Sequence, residues 1–463
     1  MKRLTILILL LALPAFIFAG GQKEAAKTTG PQTVTITVWA RANNVEHWRA
    51  EAATPAAEAL NEELKKEGKS ITVEVKPVYD NTPWGQYKNK FTMAADAGEG
   101  PDIICSGHED VPVWAQAGYI MPLADSVSQI QGMYPQFNDV IDSLWNAGMW
   151  NGKIWAVPQD TEARPMFFSK TNLKKLGWTD AQIKGLTEKI NNGQFTLDDL
   201  IKTAKTAIKK GVVKPGYGFW HRPRKGGDFM QFYYSYGGRL YDPAKDKLVL
   251  DKNALFKWYK FQRECVTSGI TPKNYIGTEW KIWHDTVAHN NALFWNGGIW
   301  QWADWKTNYL NGDESILFKN VGYALIPSGV RGVKGNTLSH PLVYMVTTEK
   351  ASGHKNRDLV VRLLALMTTK DINTKHALES THLGILKSQM KYKPYLNAKF
   401  LSSVTYMLNS NWYQPNNSYY SQWFDIVWNG MSAAENGEKT PEAAADSVVK
   451  QMKVELGDNV IIK

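Results

Sequence analysis

The sequence predicts an α/β protein of more than one domain, and three observations carry that expectation. Apolar runs of period two alternate with runs of helical period from residue 34 onward. No segment beyond the first twenty residues is long and apolar enough to cross a bilayer. The chain of 463 residues is long enough for two or three hydrophobic cores.

The elements follow in order. Val34, Ile36 and Val38 alternate with Thr33, Thr35 and Thr37, which predicts a strand. A helix comes next, with Thr54 as candidate cap, Pro55 at its first position, Leu60 and Leu64 on one face and Gly68 as its stop. Ile71, Val73 and Val75 form a second alternating strand. Tyr87, Phe91 and Ala94 mark a second helix ending at Gly98, and Pro101 to Cys105 reads as a short buried strand. Strand–helix–strand–helix–strand implies a mainly parallel sheet flanked by helices. Ligands of such sheets bind at the carboxyl ends of the strands. That points to Trp39 to Asn44, Asp80 to Trp84 and Ser106 to Asp110.

Further on, Trp155-Ala156-Val157-Pro158 enters the polar stretch Gln159 to Arg164, and Met166-Phe167-Phe168 resumes as a strand. Helical patterns cover Leu197 to Lys210 and Asn253 to Ser268. Ala292 to Trp295 and Tyr323 to Ile326 read as strands, and the chain is mostly helical from Asp358 on. There is no fixed-period internal repeat.

The start of the chain predicts export. Lys2 and Arg3 precede the apolar run Leu4 to Phe18, interrupted only by Thr5 and Pro14, and Ala19 offers a small residue for cleavage. Residues 1–19 are expected to be a signal peptide and 20–33 a flexible leader. Gly20, not a lipid-modifiable cysteine, stands at the expected mature start, so a free periplasmic protein is expected rather than a tethered one. The two cysteines, Cys105 and Cys265, match no metal motif and read as small buried hydrophobes; whether they pair is open. No metal and no cofactor are expected.

The net charge is +10, or +8 without Lys2 and Arg3. Lysines are interspersed with acids, as in Glu62-Glu63-Leu64-Lys65-Lys66-Glu67, which describes a solvated helix face and argues against nucleic-acid binding. The aromatic content, with 19 Trp, 20 Tyr and 16 Phe, exceeds ordinary composition, and flat apolar pockets are one destination for the excess.

Five segments, in order, carry a family resemblance. Gly98-Glu99-Gly100-Pro101-Asp102-Ile103-Ile104 is followed by Trp114 to Leu123, with Gly118 and Pro122-Leu123. Gly152 to Pro158 pairs with Phe168-Ser169-Lys170-Thr171-Asn172-Leu173. Asn291 to Trp300, Tyr323 to Pro327 and His382 to Lys387 complete the set, with Ile385 where the motif usually has proline. Together these resemble the family 1 extracellular solute-binding proteins, the group that includes maltose-binding protein. The resemblance implies two α/β lobes joined by a hinge of crossing strands, a carbohydrate in the cleft between them, and delivery to the permease of an ABC (ATP-driven) importer. On this basis lobe 1 is expected to comprise 34–145 plus 290–342, and lobe 2 146–289 plus 343–463. A monomer is expected.

A sugar offers hydroxyls at its edge and C–H faces above and below, so planar polar groups and aromatic rings suit it. Arg41, Asn43 and Asn44 follow the first strand, where the family contacts ligand or a surface turn simply forms. His108 and Glu109 follow the Ile103-Ile104 strand, and the resemblance puts binding carboxylates there; Asp110 is an alternative helix cap. Asp160, Glu162 and Arg164 either bind ligand or form an ion network that sets the hinge. Trp220, Arg222 and Asp228, with His221, sit in a Gly-rich loop of the second lobe. Trp295, Asn296 and Trp300 lie at a strand–helix turn, where Trp300 matches a sugar-stacking position of the family. Trp412 and Tyr413 are further stacking candidates. His340 and His382 fall near the hinge, where a lone histidine is ordinarily structural.

The competing class is a glycan-active enzyme, which would need two carboxylates about 5 Å apart if retaining. No nucleophile elbow, H-E-x-x-H site or Walker loop is present. Among binders, an acidic sugar or a phosphorylated polyol is the alternative to a neutral sugar or polyol, motivated by the positive charge and by Arg41, Arg164 and Arg222.

Overall fold

The computed structural model describes Gly30 and residues 32–463. The expected signal peptide, 1–19, and nearly all of the expected leader lie outside the described residues. Nine strands build the two main sheets: β1 (Gln32–Arg41), β2 (Ile71–Asp80), β3 (Ile103–Gly107), β4 (Ala156–Pro158), β5 (Met166–Ser169), β6 (Phe219–Trp220), β7 (Phe294–Asn296), β8 (Val321–Ala324) and β9 (Leu342–Val346). The first sheet has the order β2-β1-β3-β9-β4 and the second β8-β5-β7-β6. Each is mainly parallel with one reversed strand, β9 in the first and β5 in the second. Each reversed strand is the one that follows a crossing between lobes, so it starts at the hinge and runs away from it.

The helices that cover the sheets include α1 (Ala53–Lys66), α2 (Trp84–Ala97), α3 (Lys252–Thr267), α4 (Arg357–Met367), α5 (Lys370–Ser380), α6 (Tyr420–Asn436) and α7 (Pro441–Glu455). Helix α1 starts one residue before the predicted cap Thr54, running on from a short turn at Trp48–Glu51. Helix α2 ends where expected, at Gly98 in the left-handed conformation with φ 74°. Two residues on, a Cβ at Gly100 would stand 2.8 Å from the Ala351 carbonyl oxygen, so only glycine allows that approach. Asp102 then accepts a hydrogen bond from the Thr37 amide at 2.8 Å, tying β1 to β3. The physical content of the Gly-x-Gly-Pro-Asp motif is this corner.

The central strands are apolar on both faces, as expected where a sheet is covered on two sides, whereas β1 and β2 keep Thr33, Thr35, Thr72, Glu74 and Lys76 toward solvent. In the first, Val34, Ile36, Val38, Ile103 and Tyr344 enter one core, while Ile104, Ala156, Val343 and Met345 enter another. In the second, Met166, Phe168, Phe219 and Phe294 pack on one side; Phe167, Trp220 and Trp295 pack on the other.

The sheet pairings correct the expected division of the chain. Residues 290–342 were expected in lobe 1, but β7 hydrogen-bonds between β5 and β6, and β8 pairs with β5, all in the second sheet. Conversely β4 and β9, expected in lobe 2, belong to the first sheet, and α4 packs on α1 in the same lobe. Helices α6 and α7 pack with α3 in the second lobe. The chain therefore crosses at 159–165, at 339–341 and again after Leu386. Thr161 ties the crossings together, pairing backbone to backbone with Leu383 and hydroxyl to hydroxyl with Ser339 at 2.7 Å.

Candidate ligand-binding cleft

Strand direction fixes where the site lies. Because β4 ends at the first crossing, β1, β2 and β3, which run parallel to it across β9, also end at the hinge side of lobe 1. Because β5 starts there, β6, β7 and β8 end at the facing side of lobe 2. The carboxyl ends of both sheets therefore point at the crossings, the location where open α/β sheets bind ligands. A cavity of about 720 Å³ opens at the opposite end of the second sheet, lined by Lys175, Lys214, Lys281 and His289, away from these strand ends.

Three side-chain groups meet at the crossings. The first is sealed. Arg49 donates to Asp160 Oδ2 from Nε (3.3 Å) and Nη2 (3.1 Å), and Nη2 also reaches His382 Nε2 at 3.2 Å. Its Nη1 meets Glu46 at 3.1 Å and the Arg41 carbonyl at 3.2 Å. Asp160 Oδ1 accepts from the Leu342 amide, and Oδ2 from His376 Nε2, both at 3.1 Å. Burial works against a charge on Asp160, yet His382, Arg49 and the bond from His376 outweigh it and hold the carboxyl well below its ordinary range. Burial in turn pushes His382 down to about 3 and lowers His376, with Asp160 opposing the shift in both. Of the two readings open for Asp160, the geometry fits the hinge network.

The second group lines the cleft. Arg164 donates from Nε to Glu162 Oε1 at 2.6 Å and pairs with Asp228 at 3.0 Å. Arg222 Nη1 donates to the other oxygen of Asp228 at 2.9 Å, and the Arg222 amide donates to Asn296 Oδ1 at 3.2 Å. Trp300 is half-buried and carries the guanidinium carbons of Arg164 and Arg222 over its ring at 5.1 and 5.2 Å; Arg222 also lies 4.9 Å from the Trp280 ring. Burial raises Glu162 despite the Arg164 charge; for Asp228 the two arginines win against burial and lower it. Buried Arg222 Nε and Asn296 Nδ2 have no hydrogen-bond partner within the protein.

The third group sits where β3 meets the second crossing. His340 Nε2 donates to Glu109 Oε2 at 2.7 Å, and Lys88 bridges Glu109 Oε1 (2.9 Å) and Asp110 (2.7 Å). Burial opposes the Glu109 charge, but His340 and Lys88 hold the carboxyl well below its usual range. Burial pushes His108 down to about 4, with the His340 charge adding to the effect. Asp110 is engaged by Lys88 and Ser106 and does not act as the helix cap.

The remaining candidates separate by burial. Arg41 stays half-exposed, 5.5 Å over Trp84 and 3.5 Å from Glu46. Asn43 closes its own turn, accepting from the Val45 amide, whereas exposed Asn44 donates across the lobes to Asn308 at 3.1 Å. Trp220, Trp295 and Trp412 do not face the cleft. Trp220 and Trp295 alternate onto the covered side of the second sheet, with Trp220 Nε1 donating to the Gly216 carbonyl and Trp295 stacked on Phe167. Trp412 lies flat on Tyr234 at 3.9 Å and donates to Asn336. Trp300 is at the site, but its ring already carries two arginines and stacks on His382 at 5.5 Å. Sequence reasoning missed Arg49, Lys88, Trp280, His376 and Asn416. Lys88 was within reach of it, because it lies one turn into the helix that follows a flagged strand end.

Two sheets whose strand ends converge on three crossings define a two-lobed binding fold. The bacterial extracellular solute-binding protein model matches residues 50–374, and the chain belongs to that family. Over 410 residues it is 22% identical to a binding protein of Brucella abortus, covering 86% of this chain and 90% of that one. Among solved structures, the GacH receptor of Streptomyces glaucescens, determined unliganded and with acarbose, superposes with a TM-score of 0.70 at 20% identity, covering 92% of this chain and 99% of that one. The maltose-bound MalE3 of T. maritima gives a TM-score of 0.70 at 18% identity, with 91% and 99% covered. Among the described residues, no helix is long and apolar enough to cross a membrane. Both cysteines are free and buried.

Proposed function

We propose that this protein captures a neutral carbohydrate between its lobes and delivers it to the permease of an ABC importer, acting as a monomer in the periplasm and leaving the solute chemically unchanged. The observation that carries the reading is the Trp280–Arg222–Trp300 stack at the strand ends of lobe 2, with Arg222 Nε and Asn296 Nδ2 left unpartnered. Cation–π contact with two rings positions a guanidinium, and sugar hydroxyls accept hydrogen bonds from donors the protein leaves unpaired. Edge bonding by stacked arginine takes the place of direct stacking of the sugar on Trp300. The acarbose and maltose carried by the two structural neighbours are ligands of this chemical kind.

Charge matching favours a neutral solute over an acidic sugar or a phosphorylated polyol. Arg164 is matched by Glu162, Arg222 and Arg164 share Asp228, and Arg41 faces Glu46. The positive charge of the chain is therefore not concentrated in the cleft. The carboxylates Glu162 and Asp228 are tied to arginines and not presented as the free acid and nucleophile that hydrolysis requires.

A thermal-shift screen of the mature chain against neutral sugars, polyols, uronates and sugar phosphates tests the reading. A true ligand at a hundredfold excess over its dissociation constant stabilises by about 2.7 kcal/mol. Neutral saccharides are expected to raise the melting temperature and to be recovered intact. A response confined to the anionic members, or turnover of any glycan, would reject it.

A further inference from the structure

Among the described residues, two clusters bring three metal-ligating side chains within 4.8 Å of one another: Asp160, His376 and His382, and His108, Glu109 and His340. The first already holds a cation, since the Arg49 guanidinium lies 3.1 Å from Asp160 and 3.2 Å from His382. The second holds none between its donors. Lys88 approaches only the outer oxygen of Glu109, Oε1, and its charge is offset by Asp110.

Hydrogen bonding fixes the tautomer of His108. Asn416 donates both protons of Nδ2, to the carbonyls of Ala147 (2.9 Å) and Met149 (3.0 Å), so its Oδ1 is the atom turned to His108. An amide oxygen only accepts, so His108 Nδ1 carries the proton and donates to it at 2.7 Å. Nε2 is then a bare lone pair, and it is buried without any partner. His108 is 1% exposed, while Glu109 and His340 are half-buried. An imidazole whose far nitrogen donates to a fixed amide oxygen is the arrangement by which proteins orient histidine toward a metal.

We infer that His108 Nε2, Glu109 Oε2 and His340 Nε2 form a site for a divalent transition metal of the zinc type, with a further coordination position open to the cleft. Two imidazoles and one carboxylate are a donor set suited to zinc, at bond lengths of about 2.0 to 2.2 Å. Glu109 Oε2 and His340 Nε2 are already 2.7 Å apart, so the contraction on binding falls mainly on His108. The metal takes the place of the proton now shared between His340 and Glu109, and that proton leaves to solvent. The site does not depend on the carbohydrate reading, because its ligands lie just after β3 and on the second crossing and not beside Arg222.

The test uses zinc alone on the untagged full chain, titrated by calorimetry and by competition with a chromogenic chelator. One zinc per chain is expected. His108→Ala and His340→Asn should each weaken binding at least tenfold, and Lys88→Met, which removes the neighbouring positive charge, should tighten it. Circular dichroism checks the fold of each variant, and His340→Asn, near the rim, carries the test if His108→Ala does not fold. Absence of one-to-one binding at about 100 µM zinc, or equal affinity in a folded His340→Asn variant, overturns the site. Since no sugar is present, either failure leaves the carbohydrate proposal standing.

Discussion

The hinge network around Arg49 and the cleft network around Arg222 use the same residue types and differ in completeness. All three guanidinium nitrogens of Arg49 have acceptors, and both oxygens of Asp160 are hydrogen-bonded. Arg222 makes one side-chain ion pair, lies between two indoles and keeps a buried Nε without an acceptor. A buried ion pair holds a structure only when its charged atoms are satisfied; those of Arg49 and Asp160 are, although His376 Nδ1 in the same network has no partner. Under the proposed function, the donor left over at Arg222 is the one offered to the ligand. The proposed function assigns a structural role to the first network and recognition to the second.

The strongest way to break the comparison is to remove Asp160. Asp160→Ala strands the buried Arg49 and should cost about 3–5 kcal/mol of stability, read by urea unfolding. Trp295→Ala, inside the lobe 2 core, should cost about 3–5 kcal/mol as well, whereas Trp300→Ala should cost distinctly less while weakening ligand binding. If Trp300→Ala destabilises as much as Trp295→Ala, the division between core and cleft tryptophans fails.

A third polar group, Glu435, sharpens the contrast between satisfied and strained burial. Burial raises its pKa from 4.5 to about 7, partly relieved by the 3.0 Å bond from Gln262. The folded state therefore binds more protons than the unfolded one between those values, so stability declines as pH rises from about 4.5 and is lowest above 7. Glu435→Gln should gain roughly 2–3 kcal/mol at pH 8 and nothing at pH 4. A pH-independent effect would place the charge elsewhere. Smaller still, Arg222→Ala should leave stability within about 1 kcal/mol of the parent while weakening ligand binding about tenfold or more. Salt should change affinity for a neutral ligand by less than about twofold.

Period-two alternation made β1 and β2 legible, and Gly98 and Gly100 marked the corner before β3. Lobe membership was not legible for Phe294–Asn296 or Leu342–Val346, because their sheet partners lie far off in sequence. A strand apolar on both faces also hides which face is covered, so Trp220 and Trp295 read as ligand platforms when they are core. Glu162 and Arg164 were readable from the crossover, Arg222 and Asp228 from a Gly-rich loop and Trp300 from its strand–helix turn, and they do come together. Arg49 was not, since its partner Asp160 is 111 positions away and nothing local announces it.

The most direct measurement is calorimetric titration with the carbohydrate that most raises the melting temperature, on the parent chain and on Arg222→Ala. The account predicts one-to-one binding to the parent, and affinity at least about tenfold weaker in a variant that melts at nearly the same temperature. Equal affinity in the two proteins would contradict it.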